Sequence, residues 1–119
     1  MKTYTDLEQS KKLAEFLLDK NADLVYIAMD ERGVDYDEVP SVIDGTLEYM
    51  DVPCWSLAAL LDALPRIEHL RPSIDLNPKL DSNEVAIYYH SEDSPYIVKD
   101  NLIDAAFAMA MWLKENKKL

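Results

Sequence analysis

The chain has little of several residue types, and each shortage excludes a class of protein. Only two of its 119 residues are glycine, so the glycine-rich fingerprints that cradle phosphate groups cannot form. A single cysteine, Cys54, allows neither an intrachain disulfide nor a cysteine-rich metal site. The longest uninterrupted apolar run, Ala105–Leu113, is less than half of the roughly 20 residues that span a bilayer, so we expect no membrane insertion.

Basic residues are also scarce. Twelve Lys and Arg stand against 23 Asp and Glu, which leaves a formal net charge of −11. Binding to a nucleic-acid backbone depends on Lys and Arg displacing counterions, so we expect no direct contact with nucleic acid. The opening residues lack the apolar core of a signal peptide, and with one cysteine the simplest expected compartment is a reducing cytoplasm.

The acidity is concentrated in one segment. Residues 30–51 carry eight carboxylates and one arginine, so they contribute −7 of the total. The 20 residues at each end of the chain sum to zero. Because charge distribution bears on partners and association rates rather than on fold, this segment is the first candidate for function.

Apolar periodicity and capping residues predict three helices. Thr5 and Glu8 form the pattern of a capping box at the start of a first helix that runs to about Asp19. Ser56 is a good N-cap for a second helix, Leu57–Leu64, with Trp55 placed to pack on Leu60. We expect this second helix to be buried on most sides because it has a single charge.

The third helix is predicted over Leu102–Leu113, capped by Asp100 or Asn101. Asp104 is its only charged residue, so we expect it to be the central core helix. The three C-terminal lysines suit the negative end of its dipole.

Short apolar and β-branched runs between turn residues predict strands. The first is Leu24–Met29, with a plausible partner at Val34–Val39 and a short extended piece at Leu47–Met50 inside the long connection 41–52. Three more are expected around Ser73–Leu76, Glu84–His90 and Tyr96–Lys99. The element order lacks a repeated βαβ rhythm. We therefore predict one α+β domain over residues 1–119, with an antiparallel sheet of four to five short strands and three helices mainly on one face.

Three segments resemble a family of short uncharacterised proteins from gut bacteria and their phages and mobile elements. They are Tyr4–Ala14, Val52–Pro65 and Val98–Leu113, together about a third of the chain. The resemblance implies an intracellular bacterial protein of the accessory genome. It assigns no catalytic or binding residue.

The residue types for common catalytic and metal sites are sparse. His69 and His90 are the only histidines, and neither spacing nor neighbours make a zinc set with them. The acidic segment does not follow the calcium-loop spacing. Cys54 lies just before a helix start, where a thiolate is stabilised, but apolar neighbours favour a buried packing role. We therefore predict no cofactor and no metal.

The acidic segment supports two interpretations: a solvated surface, or a docking face for a basic partner protein encoded by the host or by the element. For the second, Tyr36 and Tyr49 would supply aromatic anchors among the acids. The candidate interaction residues are Asp35, Tyr36, Asp37, Glu38, Asp44, Glu48, Tyr49 and Asp51. The alternative from another class is a small acid–base enzyme using His90 with a nearby carboxylate. The sequence leaves the partner and the oligomeric state open.

Overall fold

A computed structural model describes residues 2–17, 21–30, 35–45, 47–48, 50–76 and 83–119. Within these ranges the chain is an α+β structure of three helices and six strands. In chain order the elements are α1 (Leu7–Ala14), β1 (Leu24–Tyr26), β2 (Ser41–Val42), β3 (Val52–Cys54), α2 (Leu57–Ala63), β4 (Ser73–Leu76), β5 (Val85–Tyr88), β6 (Ile97–Lys99) and α3 (Leu102–Glu115).

The first sheet has the order β2-β1-β3, and both pairings are antiparallel. The central strand β1 places Val25 opposite Ser41 on one side and opposite Pro53 on the other. Proline has no N–H to donate, and Pro53 is tolerated because β3 is an edge strand of this sheet.

The second sheet has the order β4-β5-β6, again antiparallel throughout. Ser73 lies opposite Tyr88, and Ile87 lies between Ile74 and Ile97. The three strands are joined by short connections, which is why neighbours in sequence pair with each other.

Two separate sheets replace the single sheet of four to five strands predicted from the sequence. Each sheet forms around its own central strand, β1 or β5, and within the described residues no edge strand of one sheet pairs with a strand of the other. The predicted partner strand Val34–Val39 is reduced to an isolated bridge between Ala28 and Tyr36, and Val34 lies outside the described residues. Leu47 and Glu48 belong to no strand.

All three helices begin at a side-chain cap. Asp6, rather than Thr5, caps α1: its carboxylate accepts from the Gln9 N–H at 2.8 Å, and Gln9 completes the capping box. Ser56 caps α2 and Asn101 caps α3, as the sequence predicts. The first helix ends at Ala14, short of the predicted Asp19, and residues 18–20 lie outside the described part.

The main core lies between the helices and the second sheet. The third helix crosses it and buries one face, which consists of Ile103, Ala105, Ala106, Met109, Ala110 and Leu113. Trp55 and Leu60 are fully buried in the same core, together with Ile87 from β5. The prediction of a central third helix is thus confirmed. In α2 only Leu60 is fully buried, while Ala58 and Asp62 are exposed, so that helix is less buried than predicted.

A smaller apolar cluster lies beside the first sheet. Tyr26, Val52 and Cys54 form its buried centre, and Leu7 and Tyr36 pack against it. The N-terminal segment joins the two regions because α1 contacts both β3 and α3. Among the residues described, no helix combines the length and apolar character needed to cross a membrane.

Candidate functional site

Residues 35–37 of the acidic segment run antiparallel to residues 27–29, which follow β1. The Met29 N–H donates to the Asp35 carbonyl at 2.7 Å, and the Asp37 N–H donates to the Ile27 carbonyl at 3.1 Å. Between them Ala28 and Tyr36 form the isolated antiparallel bridge. In such a ladder, residues directly opposite each other project to the same side. The backbone therefore places Ile27 beside Asp37 and Met29 beside Asp35.

These four side chains project to the side opposite Tyr36. The two apolar members are open to solvent: Ile27 is 39% exposed and Met29 is 60% exposed. Alternate residues on an extended strand are roughly 6–7 Å apart, so Asp35 and Asp37 form a short row of carboxylates beside them. Large apolar side chains and carboxylates thus lie side by side on one surface.

A cavity of about 280 Å³ continues this surface toward β2. Its apolar walls come from Val25, Ile27, Val42 and Leu47, and its acids are Asp44, Glu48 and Asp51. Ile27 belongs to both the exposed row and the cavity, so the two are continuous. Val42, on the edge strand, is 76% exposed.

Asp51 has a structural role inside this cavity. Its carboxylate accepts hydrogen bonds from the Ala28 N–H at 3.0 Å and from the Glu48 N–H at 3.2 Å. It therefore ties Glu48 to the chain just after the end of β1. Of the three cavity acids, Asp44 and Glu48 are exposed, which leaves them as the two whose charges face solvent.

Of the two predicted aromatic anchors, Tyr36 does not contribute to this surface. Tyr36 is half-buried against the smaller apolar cluster, and its hydroxyl donates to the Met50 carbonyl at 2.8 Å. The Lys11 ammonium lies 5.3 Å from the centre of its ring. Tyr49 lies outside the described residues. Glu38 is exposed next to Val39, itself 63% exposed.

We use the name acidic face for Ile27, Met29, Asp35, Asp37, Asp44 and Glu48 with the cavity between them. An apolar centre bordered by carboxylates is suited to an apolar side chain flanked by cations, since the carboxylates accept hydrogen bonds and the centre offers burial. Within the described ranges, no group of three or more potential ligands could hold a metal ion.

The two histidines do not belong to the acidic face. His90 is exposed on the second sheet, where its Nε2 is 2.8 Å from the Ser73 Oγ and its ring packs edge-on against Tyr88. Asp75 belongs to the same side of that sheet, but it accepts a hydrogen bond from the Tyr96 hydroxyl at 2.8 Å. That bond raises the pKa of Tyr96. His69 is exposed in a turn with a left-handed backbone, φ 69°.

Cys54 is fully buried, as its apolar neighbours predict. Burial raises the pKa of its thiol and outweighs the hydrogen bonds from neighbouring hydroxyls that act in the other direction. Its sulfur lies 3.5 Å from the Thr5 Oγ1 and donates to the Thr5 carbonyl at 3.3 Å. Because a thiol with a raised pKa holds little thiolate at neutral pH, the arrangement fits a packing role.

The acidic face contains residues that sequence reasoning does not identify. Ile27 and Met29 end the uniformly apolar run Leu24–Met29, and such a run predicts burial on both faces. Their exposure follows from the end of β1 at Tyr26, beyond which the described residues opposite them belong to the acidic segment. The sequence carries no signal of this, because the place where pairing ends is a property of the folded chain.

Searches against protein-family models, curated proteins and solved structures each returned no match to this chain.

Proposed function

We propose that the chain is a non-enzymatic interaction protein whose acidic face docks a basic partner protein. The observation that carries this proposal is the sharing of one surface by exposed Ile27 and Met29 with the carboxylates of Asp35 and Asp37. A purely solubilising surface needs charge but has no use for exposed large apolar side chains at its centre.

The chemistry of the face specifies the partner in part. The apolar centre and the adjoining cavity suit an aliphatic or aromatic side chain, and the acidic border suits Lys or Arg on either side of it. Carboxylates at the edge of an interface act mainly on the rate of association, because long-range attraction steers the encounter. A basic protein encoded by the host or by a mobile element, such as one that binds nucleic acid, would have this character.

The proposal is tested with synthetic peptides that carry one central leucine or phenylalanine flanked by arginines. Association rates are measured for the wild type and for the triple variant Asp35→Asn, Asp37→Asn, Glu48→Gln at two salt concentrations. A matched control, Glu68→Gln, Glu92→Gln, Asp93→Asn, removes the same number of charges from exposed positions outside the face. We expect the face variant to associate about tenfold more slowly at low salt and the control to stay close to the wild type.

Amide chemical shifts map the peptide on the protein. We expect changes at Ile27, Met29 and Asp44 and none at the turn containing Glu92. Equal rates for the two triple variants would show that only net charge matters and would contradict a specific docking face. Equal binding of peptides with glutamate flanks would contradict the basic partner.

A further inference from the structure

A second cavity is lined by none of the residues of the acidic face. It is an open groove of about 530 Å³ along α3, on the side of that helix opposite its buried face. Its floor is made of Phe107, Ala108, Met111 and Trp112, which recur at helical spacing and are all half-buried. A helix that is apolar on all sides is normally enclosed on all sides. Here one apolar face of α3 is only partly covered.

The charges at the two ends of this groove differ. At the N-terminal end, Lys2 bridges Asp6 at 3.0 Å and Asp104 at 2.8 Å, so these three charges are largely satisfied by one another. The remaining charge at that end is Lys99, the last residue of β6. At the C-terminal end the groove is lined by Glu115. Among the residues that the structure describes, neither Lys99 nor Glu115 forms a salt bridge.

This distribution is self-complementary. The helix rises about 1.5 Å per residue, so the ends of α3 are about 20 Å apart. If a second α3 lies antiparallel in the groove, its C-terminal end meets the N-terminal end of the first helix. Lys99 of each copy then lies near Glu115 of the other, and the apolar floors face each other around Ala108. A two-fold axis makes every contact occur twice.

We propose that this groove is the interface of a symmetric homodimer, in which the α3 helices of two copies pack antiparallel. The occupant is a second copy of the chain because one copy supplies both the apolar surface and the complementary charges. The small side chain of Ala108 permits close approach of the helices at the axis. The acidic face uses other residues.

The test is the oligomeric state of the full chain by sedimentation velocity, from low micromolar to several hundred micromolar concentration. The wild type should dimerise. Lys99→Glu alone and Glu115→Lys alone should each weaken the dimer about tenfold, because each reversal turns two attractions into two repulsions. Both positions are exposed, so the variants should melt like the wild type.

Charge restoration gives the decisive result. The double variant Lys99→Glu, Glu115→Lys should dimerise like the wild type, and an equimolar mixture of the two single variants should form a heterodimer. Arg66→Glu and Glu92→Lys, which reverse charges at exposed positions outside the groove, should leave the dimer unchanged. A wild type that stays monomeric throughout, or a dimer that neither single reversal weakens, would overturn the proposal.

Discussion

At the scale of single residues, Thr5 connects more of the structure than any charged side chain of the N-terminal segment. It is fully buried, and its hydroxyl lies 2.8 Å from the Ser10 Oγ and accepts the Trp55 N–H at 3.1 Å. Its carbonyl accepts from the Tyr26 hydroxyl at 2.9 Å. The capping-box pattern predicted Thr5 as the N-cap, whereas the structure gives that role to Asp6, and Thr5 joins α1 to β1 and β3.

A substitution that keeps the shape of Thr5 tests this role. Thr5→Val removes the hydroxyl, so the Trp55 N–H loses its acceptor and the Ser10 hydroxyl keeps only the longer bond to the Thr5 carbonyl at 3.5 Å. We expect a loss of about 1–3 kcal/mol in the free energy of unfolding, measured by denaturant titration. Thr5→Ser, which keeps the hydroxyl, is the control and should retain most of that stability. A valine variant as stable as the serine variant would show that the hydroxyl bonds contribute little.

At the scale of secondary-structure elements, the sequence was most informative about features that depend on neighbouring residues, such as helix caps and strand ends. Ser56 could be identified as a cap, and the cap of the third helix could be narrowed to Asp100 or Asn101, because a short polar side chain precedes an apolar periodic run; the structure selects Asn101. The strand Ser73–Leu76 was predicted with its observed bounds because Pro72 and Asn77 delimit it in sequence. The third helix could be predicted from its length and its single charge.

The first sheet could not be predicted in the same way. Its edge strands Ser41–Val42 and Val52–Cys54 are short, and Pro53 argues against a strand in any sequence reading. These strands form because both edges of β1 are available for hydrogen bonding, and β2 and β3 each pair with one of them. The division into two sheets likewise depends on long-range pairing, which no local pattern contains.

The contact between the N-terminal segment and α3 also predicts that the stability of the protein depends on pH. Burial raises the pKa of Asp104, but hydrogen bonds from Lys2, Gln9 and Asn101 outweigh it, so the net pKa of this carboxyl is lowered. Its stabilising effect is therefore present above the unfolded pKa of about 3.9 and is lost as the pH falls through the lower folded pKa.

Asp104→Asn should cost about 1 kcal/mol or less at neutral pH, because the side chain is 34% exposed and solvent screens its pairing with Lys2. The cost should shrink toward zero in acid, where the wild-type carboxyl is itself protonated. Denaturant titrations of both proteins from neutral pH into acid measure this difference. The same cost at every pH would assign the effect to hydrogen-bond geometry rather than to charge.

At the scale of the whole molecule, the uneven distribution of charge is evident in both the sequence and the structure. The sequence placed the candidate interaction surface in residues 30–51, and the structure brings Asp35, Asp37, Asp44 and Glu48 close to one apolar surface. The sequence could not predict the apolar part of that surface, because the exposure of Ile27 and Met29 depends on where β1 ends. The sequence shows that Tyr36 alternates with Asp35 and Asp37, but it does not show whether the tyrosine side or the aspartate side faces solvent.

The concentration of acids also makes a prediction that needs no partner. Like charges held close together on a folded surface repel each other, and salt with a screening length of about 10 Å at 0.1 M weakens that repulsion. The triple variant Asp35→Asn, Asp37→Asn, Glu48→Gln should therefore melt a few degrees higher than the wild type at low salt, with the difference fading as salt is added. The control triple at Glu68, Glu92 and Asp93 should gain less, because Glu68 lies between Arg66 and Arg71 in sequence and their positive charges offset the repulsion. A face variant that melts lower than the wild type would mean that these carboxylates support the fold, and slower association of that variant would then reflect lost structure rather than a lost docking surface.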